Sequence, residues 1–254
     1  MFSIPNILTL CNLFCGCLGL VAIWEGKQPI ASYLILLGAC FDVLDGLVAR
    51  MLKSYSELGK QLDSLADMTT FGVLPALLMF DMMRYTVNNV WATLGFMLAL
   101  FAALRLAKFN IDERQSRHFI GLPSPAMAIA VASLPLIAYY QPFSVVLLNY
   151  NILGIFTILL SWVMVAEIPL FSFKFKTWDW ETNRLRYMFL ILCCISVFLL
   201  GILVAPFLIL LYIAWSIAFQ SLLLRENFTH KPLNIMLETS THIEDVEDPE
   251  DIMG

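Results

Sequence analysis

Residues 42–67 read DVLDGLVARMLKSYSELGKQLDSLAD and carry four aspartates in the pattern D-x2-D-G-x2-A-R-x8-G-x3-D-x3-D. Apolar runs such as ACF before this stretch and TTFGVLPALLMF after it place the carboxylates beside or within membrane-spanning segments. A carboxylate at membrane depth costs at least ~2.5 kcal/mol. Four of them at helical spacing therefore predict a bound cation.

The spacing of the aspartates indicates how they share that cation. Residues three and four positions apart lie on one face of a helix, so Asp42 projects with Asp45 and Asp63 projects with Asp67. Two antiparallel helices joined by a turn near residues 51–58 would bring the two pairs together. A site made only of oxygen ligands favours Mg²⁺ or Mn²⁺ over Zn²⁺, and Mg²⁺ usually keeps room for substrate phosphates.

The composition indicates a membrane protein. The chain has 254 residues, of which 60% are hydrophobic, and a mean hydropathy of +0.80, whereas soluble domains are about 45–50% apolar. Repeated apolar runs of about 20 residues predict an all-α, polytopic membrane helix bundle in a single domain over residues 1–228. We expect about eight transmembrane helices, near residues 4–24, 30–53, 58–80, 88–109, 122–140, 150–170, 186–204 and 206–224.

Basic residues are distributed unequally between the two predicted membrane sides. With the N-terminus in the cytoplasm, 13 of the 15 Lys and Arg residues fall on the cytoplasmic side, leaving Lys27 and Arg84 on the other. Such an excess is typical of cytoplasmic loops. We therefore expect the aspartates to open toward the cytoplasm. From Pro232 onward there are seven acidic residues and no Lys or Arg, which predicts a disordered cytoplasmic tail over residues 229–254.

The pattern of residues 42–67 resembles the signature of the CDP-alcohol phosphatidyltransferases, with all eight fixed positions present. Within that family the chain is most similar to bacterial-type phosphatidylserine synthases, on the evidence of residues 4–9 (IPNILT), 104–110 (LRLAKFN), 119–126 (FIGLPSPA) and 168–172 (IPLFS). The resemblance implies transfer of the phosphatidyl group from CDP-diacylglycerol to L-serine, with release of CMP. It also implies a homodimer in the bacterial inner membrane.

The resemblance further implies roles for individual side chains. Asp42, Asp45, Asp63 and Asp67 would hold two divalent ions, Mg²⁺ or Mn²⁺, and Asp67 would also act as the catalytic base. Contacts with CDP-diacylglycerol are implied for Asn6, Asp45, Gly46, Ala49, Arg50, Ser56 and Gly59.

Four polar residues beyond the motif are predicted to bind the serine: Arg105, Lys108, Asn110 and Ser124. Free serine carries a carboxylate and an ammonium group, so its site needs a cation and an acceptor close together, which Arg105 and Asn110 can supply. Membrane anchoring is an equal explanation for Lys108. An acceptor such as glycerol phosphate or inositol phosphate stays open, because Lys108, Arg114 and Arg117 would suit a doubly charged phosphate.

The same residues also have structural explanations. The aspartates would then be polar contacts between helices, Arg50 would pair with one of them, and Gly46 and Gly59 would serve helix packing. A transporter that uses membrane carboxylates is a second class of function. That class expects broken helices and repeated halves, and the sequence shows no repeat. Nothing in the composition favours binding to nucleic acid.

Overall fold

The computed structural model describes residues 3–54, 56–85, 89–111, 121–140, 148–166, 180–200 and 204–218. Within these ranges the chain is helical and contains no strand, so the expected all-α class is confirmed. The elements are α1 Ile4–Trp24, α2 Gln28–Met51, α3 Glu57–Asp67, a π-helix Met68–Val73, α4 Leu74–Arg84, α5 Asn89–Ala92, a 3₁₀ helix Thr93–Phe96, α6 Met97–Ile111, α7 Ser124–Tyr140, α8 Tyr150–Val165, α9 Trp180–Leu200 and α10 Ala205–Ala218.

Four helical stretches of the described chain are long and apolar enough to cross a membrane: Ile4–Trp24, Gln28–Met51, Glu57–Arg84 and Val90–Ile111. The third is one rod made of α3, the π-helix and α4. Helices α7 and α8 are apolar but shorter. These features indicate an integral membrane protein. The expected count of about eight spans is not confirmed by helix length and composition, and it stays a prediction.

Helix α1 packs along both α2 and α3, and these two helices contact α1 far more than they contact each other. Glycines also let α1 approach the π-helix and α4 closely. A Cβ at Gly16 would lie 2.5 Å from Thr70 Oγ1, and one at Gly19 would lie 2.4 Å from Leu74 Cδ2. The sequence predicts that α2 and α3 meet directly. In the structure α1 packs against both of them.

The π-helix follows directly after Asp67 and has a local cause. Pro75 lies in the first turn of α4, where it supplies no amide hydrogen and its ring crowds the carbonyl four residues earlier. The rod absorbs this disturbance as a π-helix, a feature that is frequent at functional sites. The Thr70 hydroxyl donates a hydrogen bond of 3.0 Å to the Asn12 carbonyl, which fixes the end of α3 against α1.

The start of α7 is fixed against the end of α8. Gly121 has a φ of +76°, a conformation that favours glycine, and a Cβ there would lie 2.5 Å from the Met164 carbonyl oxygen. The Leu122 amide donates to the Val163 carbonyl at 3.1 Å. This tight turn places Ser124, the first residue of α7, inside the bundle, where it is fully buried.

Candidate active site

Three of the four motif aspartates meet at one point. Asp42 on α2 and Asp63 and Asp67 on α3 each bring a carboxylate oxygen within 4.8 Å of the others. We call these residues the three-carboxylate group. All three side chains are half-buried, and Asp63 Oδ1 is buried with no hydrogen-bond partner in the described chain.

The three-carboxylate group fits a divalent cation. Within the described ranges, the ion pairs join Lys27 to Glu25 and Arg84 to Asp81, and neither pair involves this group. Converging carboxylates repel one another unless a positive charge lies between them. Carboxylate oxygens are the ligands that Mg²⁺ and Mn²⁺ prefer. The unpartnered oxygen of Asp63 is thus available to an ion.

Asp45 lies beside this group. Its side chain is buried, and Oδ2 accepts a hydrogen bond of 2.7 Å from Thr9 Oγ1 on α1. Asp45 and Asp63 both line a neighbouring cavity. The sequence predicts that all four aspartates hold the ions. In the structure three of them lie together, and Asp45 is held by α1 at the edge of the cavity.

The cavity has a volume of about 220 Å³ and lies between the start of α1, the end of α2 and the start of α3. Six of the seven residues predicted to contact CDP-diacylglycerol line it: Asn6, Asp45, Gly46, Ala49, Ser56 and Gly59. Arg50 lies outside the lining, is exposed to solvent, and donates from Nε to the Gly46 carbonyl at 2.9 Å. Ser54 and Lys60 also line the cavity, and the sequence interpretation did not include them.

The two motif glycines differ in their surroundings. A Cβ at Gly46 would meet only Arg50 Nη2, at 3.9 Å, so Gly46 leaves open space in the cavity wall. A Cβ at Gly59 would lie 3.0 Å from both Asn6 Oδ1 and Ser56 Oγ. Ser56 caps α3 by accepting from the Gly59 amide at 3.0 Å. Gly46 therefore has the geometry of a ligand-facing glycine, and Gly59 that of a packing glycine.

The predicted acceptor residues divide into two places. Arg105 on α6 is 8% exposed, and its Nη1 donates to Ser124 Oγ on α7 at 2.7 Å. Arg105 Nε is buried with no partner in the described chain, and the charge of the guanidinium acts on the Asp67 carboxylate. Two predicted residues from separate helices thus meet beside the three-carboxylate group.

Asn110 makes a different contact. Its Nδ2 donates at 2.9 Å to Oγ of Ser64, the neighbour of Asp63 on α3. Arg105 and Asn110 are five positions apart, which places them on different faces of α6, and they share no hydrogen bond in the described chain. Lys108 is half-buried. Arg114 and Arg117 lie outside the described residues.

Besides Ser54 and Lys60, sequence reasoning missed Asn12. Asn6, Thr9 and Asn12 on α1 are 7%, 4% and 0% exposed, and the last two contact motif aspartates. Asn12 Nδ2 donates to Asp67 Oδ1 at 3.4 Å. The sequence does contain a signal for this face of α1: Asn6, Thr9 and Asn12 recur every three positions in an otherwise apolar span.

A model of the CDP-alcohol phosphatidyltransferase family matches residues 2–172. This range contains the three-carboxylate group, the cavity and the Arg105–Ser124 pair. The chain belongs to the CDP-alcohol phosphatidyltransferase family. It is therefore a membrane transferase, and this decides against the transporter that the sequence analysis kept as an alternative.

Three similar proteins of known name indicate which branch of the family this chain resembles. The chain is 33% identical over 174 residues to the CDP-diacylglycerol–serine O-phosphatidyltransferase of Bacillus subtilis (strain 168), covering 68% of this chain and 93% of that protein. It is 31% identical over 192 residues to the enzyme of the same name from Helicobacter pylori (strain J99), covering 75% and 81%. It is also 33% identical over 145 residues to the archaetidylserine synthase of Methanothermobacter thermautotrophicus, covering 56% and 61%.

Proposed function

We propose that this enzyme transfers the phosphatidyl group from CDP-diacylglycerol to L-serine, forming phosphatidylserine and CMP. The observation that carries the proposal is the three-carboxylate group beside a cavity whose lining matches the predicted nucleotide contacts. The names of the bacterial and archaeal relatives differ in the lipid and share serine as the head group. Serine is therefore the acceptor best supported for this chain.

We further propose that the motif aspartates hold two divalent ions, Mg²⁺ or Mn²⁺. Asp63 belongs both to the three-carboxylate group and to the cavity lining with Asp45. The residues that would hold the ions are Asp42, Asp45, Asp63 and Asp67. When bound, such ions stabilise the charge that builds on the phosphoryl oxygens and on the leaving oxygen.

The cavity would receive the cytidine diphosphate part of the lipid substrate. Gly46 has no side chain and Ala49 only a methyl group, which leaves space in it, and Asn6 and Ser56 present hydrogen-bonding groups. Arg50 lies next to the cavity with its Nε on the Gly46 carbonyl, and its remaining guanidinium donors are suited to phosphate oxygens. Gly59 would act by keeping α3 close to Asn6 rather than by direct contact.

In the reaction, Asp67 accepts the proton of the serine hydroxyl while the hydroxyl oxygen bonds to the phosphorus that carries diacylglycerol. The bond from this phosphorus to the CMP oxygen breaks, and CMP leaves with the electron pair. Asp67 then returns the proton to water. A positioned base is required because a serine hydroxyl is a weak nucleophile at neutral pH.

Arg105 would bind the serine carboxylate. Its Nε is buried with no partner in the described chain, and Ser124 holds its Nη1 in place, so the Nε–H group remains available to a ligand. A buried guanidinium is suited to a carboxylate because both groups are planar. Asn110 and Lys108 lie further along α6, and we assign them to the rim of the acceptor site.

The membrane arrangement that we propose has eight spans, with both chain ends on the cytoplasmic side of a bacterial inner membrane. The excess of Lys and Arg on that side supports this arrangement.

Residues 1–228 would form the membrane domain, and residues 229–254 would form the acidic tail. The chain would form a homodimer. Reporter fusions near Lys27 and at Gly254 should lie on opposite sides of the membrane, and a shared side would refute the span count. Cross-linking in native membranes should give a dimer band.

The test of the acceptor uses purified protein in detergent with CDP-diacylglycerol. Labelled serine, glycerol 3-phosphate and inositol phosphate are offered separately, and the lipid products are counted. Serine should give the labelled lipid, with CMP released in equal amount. Preference for glycerol 3-phosphate would leave the family membership standing and overturn serine as the acceptor.

A further inference from the structure

Asn12 lies where α1, α2 and the rod that begins with α3 meet. It is fully buried and makes two contacts with the rod. The side-chain Nδ2 donates to Asp67 Oδ1 at 3.4 Å, and the backbone carbonyl accepts from Thr70 Oγ1 at 3.0 Å. One residue of α1 thus holds both the last residue of α3 and the π-helix that follows it.

The orientation of the Asn12 amide follows from chemistry. An ionised carboxylate only accepts hydrogen bonds, so the NH₂ group must face Asp67 and the amide oxygen must point away. That oxygen has no hydrogen-bond partner in the described chain. A Cβ at Gly38 on α2 would lie 2.9 Å from it, so the absence of a side chain at Gly38 is what leaves room for the amide.

This arrangement is unfavourable for a residue that only fills space. A buried acceptor without a partner loses its hydration and regains nothing, and an apolar side chain of similar size avoids that loss. The contact with Asp67 is longer than the usual 2.7–3.2 Å, as hydrogen bonds in active sites often are before ligands bind. The polar group is thus explained by what it does to Asp67.

We propose that Asn12 is a positioning residue for Asp67. By donating to Oδ1, its amide fixes the plane of the carboxylate and leaves Oδ2 to receive the acceptor proton. Asn12 acts through Asp67 and does not line the cavity with the predicted nucleotide contacts. The proposal rests on the proposed function only in taking Asp67 as the base.

The test compares Asn12→Leu with wild type, and with Thr157→Val as a matched control. Thr157 is also fully buried, and its hydroxyl donates within its own helix to the Leu153 carbonyl at 2.7 Å. Asn12→Leu should lower kcat by about 10- to 100-fold, the usual effect of losing a group that orients a ligating residue. KM for both substrates and the directly measured affinity for CDP-diacylglycerol should stay within about threefold of wild type. Thr157→Val should leave kcat unchanged.

A second variant changes the surface of α2 that packs against Asn12. Gly38→Ala places a methyl group 2.6 Å from Thr70 Cγ2 and 2.9 Å from the Asn12 amide oxygen. Both neighbours must shift, so this variant should also lower kcat. If Asn12→Leu fails to fold, Asn12→Ala decides instead, since it adds no atoms to the site.

Two results would overturn the positioning role. One is a folded Asn12 variant whose kcat stays within about threefold of wild type. The other is a loss of CDP-diacylglycerol affinity that matches the loss of kcat, which would place Asn12 in the nucleotide site. The assays use whichever acceptor the wild type prefers. Failure of serine as the acceptor is therefore seen in the wild type and does not depend on the Asn12 result.

Discussion

The rod Glu57–Arg84 carries buried or half-buried carboxylates near both ends, and the protein treats the two ends differently. Near the last turn, Asp81 is 2% exposed, its Oδ1 lies 2.8 Å from Arg84 Nε, and its Oδ2 accepts from Gln28 Nε2 at 2.6 Å. Toward the other end, Asp63 and Asp67 join Asp42 of α2 in the three-carboxylate group, which forms no ion pair with a Lys or Arg of the described chain. One oxygen of Asp63 has no hydrogen-bond partner there.

The difference shows what separates a structural carboxylate from a ligand. A buried charge is tolerated when a counter-charge and hydrogen bonds satisfy it, as Gln28 and Arg84 do for Asp81. Arg105 is the cation that acts on Asp67, yet it forms no ion pair with it and is held by Ser124. Burial alone therefore does not identify the site. The lack of an ion pair to these carboxylates within the described chain does, and it favours a bound cation.

The largest expected effect is that of removing divalent ions. EDTA should abolish release of CMP from CDP-diacylglycerol, and added Mg²⁺ or Mn²⁺ should restore it, because no Lys or Arg of the described chain forms an ion pair with the three-carboxylate group. The measurement is CMP formed by purified protein in detergent. The Asp81→Asn variant should show the same requirement. Full turnover in EDTA would mean that these carboxylates are satisfied within the protein, as Asp81 is.

The next largest effect is expected for Asp67→Asn. Turnover should fall by about 10²- to 10⁴-fold, the usual contribution of a positioned base. Binding of CDP-diacylglycerol should stay measurable, because Asp42, Asp45 and Asp63 remain. Single-turnover kinetics and direct binding separate the two quantities. A loss of turnover below about tenfold would assign Asp67 a structural role.

The pairing of the aspartates could be predicted from the sequence because it is local geometry. Asp63 and Asp67 are one turn apart on any helix, whatever surrounds them. The helix ends were also close to expectation: the third span was predicted at residues 58–80, and the rod runs from Glu57 to Arg84. The expected turn near residues 51–58 lies between the end of α2 at Met51 and the start of α3 at Glu57.

What could not be predicted depends on packing between distant segments. Thr9 draws Asp45 toward α1, and α1 reaches that position only because Gly16 and Gly19 let it approach the rod. The pairing of Arg105 with Ser124 depends in the same way on the tight turn at Gly121. The sequence marks these residues as polar or small, but it does not state which of them meet.

A smaller and more selective effect is expected for Arg105→Ala. KM for serine should rise by about 10- to 100-fold, the range expected when a hydrogen-bonded charge partner is lost. KM for CDP-diacylglycerol should change little, because Arg105 does not line the cavity. Arg105→Lys should restore little, since an ammonium group lacks the planar donor pair. Lys108→Ala is the control, with a smaller expected change. Equal rises in both KM values would remove Arg105 from the acceptor site.

The smallest effect on activity is expected for Asp81→Asn, and it bears most directly on the contrast between the two ends of the rod. The amide keeps the size of the side chain and a hydrogen-bond acceptor for Gln28, while Arg84, whose side chain is 45% exposed, can turn to solvent. The change should cost about 1–3 kcal/mol of stability, which for a chain of this size lowers Tm by several degrees. Turnover with saturating Mg²⁺ should stay within about twofold of wild type.

Arg84→Ala should lower Tm more than Asp81→Asn does, because it leaves the buried Asp81 carboxylate without its counter-charge. Thermal unfolding in detergent and CMP release, measured on the same samples, give both quantities. If Asp81→Asn instead lowered turnover as far as Asp67→Asn does, the paired carboxylate would be as functional as the unpaired ones. The presence of a counter-charge would then no longer distinguish the two ends.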